Sequence, residues 1–101
     1  MNAETVLTNA RIVTAECEFE GTVVLRDGRI AELSDENCRA AGAIDLDGDY
    51  LLPGFVELHT DNLEKHFAPR PGVKWPSVPA LMAHDTQIAA AGITTVFDSL
   101  A

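Results

Sequence analysis

At 101 residues, with 7 Lys and Arg against 16 Asp and Glu for a formal charge of -9, the chain has the length of one small domain, and its charge disfavours nonspecific binding to nucleic acid or to an anionic membrane surface. No apolar stretch approaches the roughly 20 residues that cross a bilayer, and the N-terminus lacks the basic start and apolar run of a signal peptide. Cys17 and Cys38 lie far apart without paired spacing, so the expectation is a cytoplasmic protein with free thiols and neither a nucleic-acid nor a membrane partner.

The first half reads as short strands and tight turns. Val6–Leu7 and Ala10–Thr14 are candidate strands. In "TVVLRDGRIAEL" the run Thr22–Leu25, then Arg26, leads into Asp27-Gly28 and Arg29–Leu33; such a connector predicts a hairpin, because its type I′ turn needs positive φ at both central residues. A second pair, Asp47-Gly48, separates Ala43–Leu46 from Tyr50–Leu52. Together these predict four to six short strands in a meander, a thin sheet with one apolar face to cover. "DLDGD", Asp45 to Asp49, places its glycine one position early for an EF-hand loop and lacks flanking helices, so it reads as a β-turn.

The second half changes period. Phe55–Leu58 reads as a strand, followed by a polar, Pro-rich loop from about His59 to Pro76. In "SVPALMAHDTQIAAAG" Val78, Leu81, Met82, Ile88 and Ala89 form a helical stripe, with Ser77 as N-cap, Pro79 in the first turn and Gly92 at the C-terminal cap. "ITTVFDSLA" then reads as a buried strand. Strand, long loop, helix, strand is a βαβ unit with parallel strands and a right-handed crossover. One helix cannot cover both faces of a parallel pair, so the chain reads as the front of a longer protein.

Sites in parallel α/β folds collect where strand carboxyl ends meet the following loops. His59 and Asp61 sit at that end of the first parallel strand. Two apart in extended chain, they point to one side. An imidazole and a carboxylate so placed are half of a Zn²⁺ or Mn²⁺ site; they are equally a hydrogen-bonded strand end followed by a loop cap. A loop of this length is itself usually functional or disordered. His84 and Asp85 fall on the helix, with His84 expected on the outer face. Trp75 is read as a loop anchor, Asp98 as either a strand-mouth residue or a buried cap, and Glu57 as an inward residue needing a partner.

The stretch "LLPGFVELHTD" resembles the first-strand signature of the amidohydrolase superfamily, and "VVLRDGRIAEL" with "IDLDGDYLLPG" resembles its N-terminal part. The resemblance implies an α/β chain with residues 1–52 contributing strands to a small β-sandwich and residues 53–101 starting a (β/α)8 barrel: first strand, long loop, helix, second strand. It implies His59 and Asp61 as metal ligands, with one or two divalent ions, Zn or Mn, as cofactor. The remaining ligands and the general base would lie on later strands, so this length of chain would be inactive alone.

Within the superfamily, "ELHTDNLEKHFAPRPGVKWP" is similar to a diphosphatase branch of bacterial phosphonate use. That similarity implies release of pyrophosphate from a ribosyl triphosphate bearing a methylphosphonate. The segment from Lys65 to Lys74 carries Lys65, His66, Arg70 and Lys74 and no acid, which suits a phosphorylated small-molecule substrate held by charge-assisted hydrogen bonds. Lys65, His66 and Arg70 are the expected substrate-binding residues, ahead of Lys74. Two rival readings stand beside this one. The first is an amidohydrolase acting on C–N bonds, a deaminase or cyclic amidase; the second is a non-catalytic piece that forms homo-oligomers through exposed strand edges.

Overall fold

The computed structural model describes residues 3–100, and the chain forms two compact units that divide between Pro53 and Gly54. In the first, β1 (Glu4–Val13), β2 (Glu18–Arg26) and β3 (Arg29–Ser34) form an antiparallel sheet, and β4 (Ile44–Asp45) and β5 (Tyr50–Leu51) both pair with β1 in parallel. The hairpin at Asp27-Gly28 forms as its turn chemistry requires, with φ of 53° and 75°.

The second Asp-Gly corrects the meander. Asp47 and Gly48 also adopt positive φ, 52° and 80°, and Asp49 N–H closes the turn on the Leu46 carbonyl at 2.9 Å. Yet the flanking strands pair with β1 and not with each other. The cause lies in β1, where Asn9 takes φ 52° and the register with β2 shifts by one residue between Leu7 and Ala10. That bulge turns the Asn9 carbonyl to Gly48 N–H at 2.8 Å, while Leu46 N–H reaches the Thr8 carbonyl at 2.9 Å. A bulge in one strand is met by a turn in its neighbour, so both keep the same direction. Asn tolerates this backbone region better than most residues.

Ala10, Ile12 and Val23 form the buried core of this unit, with Phe19, Leu25, Leu46 and Leu51 packed against them. Beside it lies a buried pair of hydroxyls. Thr22 donates to the Glu36 carbonyl at 2.7 Å, so Thr8 donates to Thr22 at 2.9 Å, and Cys38 N–H donates to Thr8 at 2.7 Å. This network ties the irregular segment after β3 to the sheet, where an apolar side chain could not satisfy the backbone groups. Gly21 serves the same segment: a Cβ there would stand 1.9 Å from the Ser34 carbonyl oxygen.

In the second unit, β6 (Phe55–Thr60) and β7 (Ile93–Asp98) are parallel. Between them come α1 (Asn62–Phe67) and α2 (Ser77–Ala90). The expected long loop therefore contains a short helix, whose six residues give too little periodicity to register in the sequence. Ser77 is the first helical residue of α2 and not its cap; Pro76 holds the cap position without a side-chain hydrogen bond. Gly92 takes φ 80° just past the helix, as expected of a C-terminal stop. The apolar stripe is also corrected. Val78, Leu81 and Met82 are exposed, and the buried residues of α2 are Ala80 and His84.

Two outcomes follow for the first unit. Thr22→Val leaves the Thr8 hydroxyl and the Glu36 carbonyl without their partner, and is expected to lower unfolding free energy by about 1–3 kcal/mol in a urea titration. Asp45 accepts from Asp47 N–H at 2.7 Å and from the Asn9 amide at 2.9 Å, and these bonds, that of Asp47 first, hold its carboxyl below the ordinary value of 3.8. A folded-state value below the unfolded one gives stability that is complete above the unfolded value and lost as pH falls through the folded one. Unfolding measured from neutral pH down to strong acid is expected to show wild type losing its advantage over Asp45→Ala only in that acid range.

Candidate metal centre

β6 carries the candidate residues to its carboxyl end. Its pairing with β7 passes from Glu57 opposite Val96 to Thr60 opposite Asp98, which leaves one extra residue on β6 at Leu58–His59. Bulges of this kind re-aim a side chain and are frequent beside active sites. The Glu57 carboxylate takes the loosened backbone, accepting from His59 N–H at 3.2 Å. This is the partner that Glu57 requires. At the start of the strand, a Cβ on Gly54 would meet the Thr94 side chain at 2.2 Å, so the Pro-Gly entry is needed for close approach to β7.

His59 and Asp61 are both exposed at this strand end. His59 Nδ1 lies 3.3 Å from the Ser99 hydroxyl. Among the described residues nothing bonds its Nε2. Asp61 occupies the N-cap position of α1 with φ −113° and ψ 13°, yet its side chain makes no capping hydrogen bond. The carboxylate lies instead 3.7 Å from Lys65 Nζ, one helical turn on, and that ammonium also donates to the Asn62 side chain at 3.1 Å. Among the described residues no group of three or more His, Cys, Asp or Glu side chains converges as a metal cage. The donor set is therefore two side chains of the right type, short of the three or four that hold a catalytic ion.

The basic segment is divided among different tasks. Lys65 and His66 line an open cleft of about 300 Å³ together with Pro69, Trp75, Pro79, Ala80 and Ala83. His66 Nε2 is 3.0 Å from the Gln87 side-chain oxygen, and its ring tilts against that of His84 at 5.6 Å. Arg70 lines neither this cleft nor its neighbour. It opens the tight turn Arg70–Val73, which pairs its ends and places Gly72 at φ 78°. Lys74 belongs to the second cleft, of about 320 Å³, with Glu64, Phe67, Ala68, Trp75 and Leu100. Trp75 is an exposed wall shared by both clefts, at 57% exposure, and not a packed anchor.

The expectation for His84 is overturned. It is only 4% exposed, and its Nε2 lies 2.7 Å from Asp98 Oδ2. The same carboxylate accepts from Leu63 N–H through Oδ1 at 3.2 Å, so Asp98 is a half-buried cap that joins β7 to α1 and α2. Neither His84 nor Asp98 reaches the strand-end pair; they hold the elements that carry it. A cap is one of the two roles expected of Asp98, whereas nothing in the sequence signals the burial of His84, because a polar residue inside an amphipathic helix ordinarily marks its outer face. Ser99, which contacts His59, belongs to no motif. Its signal is register: it follows Asp98, which stands opposite Thr60, and so lies beside the end of the His59 strand.

No protein-family model matches the chain. It is 41% identical over 96 residues to alpha-D-ribose 1-methylphosphonate 5-triphosphate diphosphatase of Escherichia coli (strain K12), a match covering 95% of this chain and 25% of that protein. It is 36% identical over 66 residues to D-hydantoinase of Streptomyces coelicolor, covering 59% of this chain and 14% of that one. Both matches are to amidohydrolase-type hydrolases, to which this chain is similar. The crystal structure of a prolidase complexed with N-methylphosphonate-L-proline superposes with a TM-score of 0.64, over 95% of this chain and 26% of the other, at 22% identity; that likeness is one of fold. The chain thus spans about a quarter of the length of the diphosphatase and of the prolidase. Amidohydrolase-superfamily relatives are hydrolases and generally metal-dependent. Among the described residues no helix is long and apolar enough to cross a membrane.

In this second unit, Asp98→Ala removes the acceptor for both Leu63 N–H and His84. An unfolding free energy lower by roughly 2–3 kcal/mol is expected, with Asp98→Asn losing less because an oxygen remains for Leu63. Denaturant midpoints of the two variants against wild type check the order.

Proposed function

We propose that this chain is the N-terminal part of a metal-dependent hydrolase that releases pyrophosphate from a ribosyl triphosphate carrying a methylphosphonate, as in phosphonate catabolism. The observation that carries the reading is the Lys65 ammonium 3.7 Å from Asp61. A cation able to hold phosphate oxygens stands one helical turn from Asp61, which with His59 is of metal-ligand type. In this reading residues 1–52 belong to a small β-sandwich and residues 53–101 begin a (β/α)8 barrel.

His59 and Asp61 would hold a divalent ion, Zn or Mn, alone or as one of two, together with donors from the rest of the barrel. Such an ion supplies an activated water at neutral pH and charge stabilisation on the phosphoryl oxygens. The residues of this chain bind and orient. His59 and Asp61 are ligands, so neither acts as general base, and this length of chain alone has no turnover. Lys65 and His66, on one cleft wall, orient the phosphate chain and offset charge on the departing pyrophosphate. Arg70 would bind substrate separately, from its own turn outside that cleft.

Support for the diphosphatase over a C–N hydrolase comes from the extent of the similarity. An alignment of 96 of 101 residues necessarily includes the basic segment from Lys65 to Lys74. The D-hydantoinase match has no such requirement, at 66 residues. A homo-oligomer, if formed, would use sheet edges away from the strand-end pair.

The test is pyrophosphate release by the complete protein that carries this sequence, with Zn²⁺ or Mn²⁺ supplied. His59→Ala and Asp61→Ala are expected to lower kcat/KM by at least about 10³-fold, and Lys65→Ala by about 10–100-fold through KM. Wild-type protein that binds metal yet leaves this substrate intact would overturn the reading in favour of an amidohydrolase acting on C–N bonds.

A further inference from the structure

We propose that Ser99 is a positioning residue for the candidate ligand His59: its hydroxyl takes the Nδ1 side of the imidazole and leaves Nε2 to face a metal ion. The inference rests on the reading of His59 as a ligand and adds a residue that reading does not contain. The Ser99 hydroxyl lies 3.3 Å from His59 Nδ1. Its backbone is fixed independently of that contact, because Ser99 N–H donates to the Thr60 carbonyl at 2.8 Å, carrying the β6–β7 pairing one residue past β7. The preceding residue, Asp98, is anchored to Leu63 and His84. The backbone that carries the hydroxyl is thus anchored. It stands across from a ring whose own backbone is bonded to Glu57.

The chemistry follows from what each atom can do. A neutral imidazole carries one N–H and one lone pair, and a ligating nitrogen must offer the lone pair. Ligation through Nε2 therefore places the proton on Nδ1, which then needs an acceptor. A serine oxygen has two lone pairs to offer. In this role the hydroxyl accepts from Nδ1–H and holds the plane of the ring, which is the work that outer partners of metal-bound histidines do, and their loss typically weakens metal binding about 10–100-fold.

The experiment measures Zn²⁺ affinity of the complete metal-free protein by chelator competition for wild type, Ser99→Ala, Ser99→Thr and His59→Ala, alongside the ¹⁵N shifts of the neutral His59 ring before metal is added. Ser99→Ala is expected to bind Zn²⁺ about tenfold or more weakly, Ser99→Thr to bind nearly as wild type, and the urea midpoint to stay unchanged in both. The wild-type ring is expected in the Nδ1–H form, with Ser99→Ala moving toward Nε2–H. Unchanged affinity in Ser99→Ala, with His59→Ala strongly impaired, would overturn the role of Ser99 and leave the metal reading standing. Unchanged affinity in His59→Ala would overturn both. An Nε2–H ring in the wild-type protein would overturn the inference whatever the affinities, including where Ser99→Ala fails to fold.

Discussion

The second unit depends on one carboxylate. Asp98 ends β7 and spends both oxygens inside the protein, one on the first turn of α1 and one on His84 of α2. Burying a polar pair is costly unless its bonding capacity is used. Here it is largely used: His84 Nδ1 is the one buried side-chain atom without a partner among the described residues. The result is a cross-link among three elements at the carboxyl end of the parallel strands. Without it, a helix of six residues could not hold its place, since isolated helices of that length do not persist.

From that cross-link the placement of the candidate metal pair follows. The chain leaves β6 through a bulge, presents His59 and Asp61, and enters α1, whose second residue is already tied to Asp98. Strand end and helix start are thus clamped within a few residues of each other. The two side chains stay exposed while their backbone is fixed. Such an arrangement suits a ligand pair, which must be ordered by its surroundings yet open to what binds. It also explains why the basic segment does not act as one patch. Lys65 follows Asp61 around α1, His66 turns to α2, and Arg70 starts a new turn.

Much of this was legible because local chemistry and tertiary demand agree. Asp27-Gly28 forms its hairpin, Gly92 stops its helix, and β6 and β7 run parallel, each from a signal a few residues long. The failures share a different cause. Asp47-Gly48 makes the same turn but does not make a hairpin, because the bulge at Asn9 lies almost forty residues away and decides where the flanking strands pair. His84 is buried because Asp98 waits on β7, and no helical pattern contains that information. Short signals fix turns; partners distant in sequence decide pairing and burial. The candidate site divides the same way: His59 and Asp61 are suggested by spacing, while the Ser99 contact to His59 is visible only once the strands are in register.

The exposed apolar stripe of α2 bears on the same point. Val78, Leu81 and Met82 lie open, whereas the small Ala80 and the polar His84 are buried. A helix packed by its hydrophobicity alone would turn the other way. Its orientation is set instead by the hydrogen bond to Asp98, reinforced by Ala80, whose lack of a long side chain permits close approach, and by Gln87 reaching His66. Apolar burial is non-directional and would accept several rotations of the helix. The His84 to Asp98 bond accepts only one. The polar contact therefore selects the geometry, and that selection carries through α1 to Asp61 and Lys65, which is why the Lys65 ammonium stands beside Asp61 and not elsewhere on the loop.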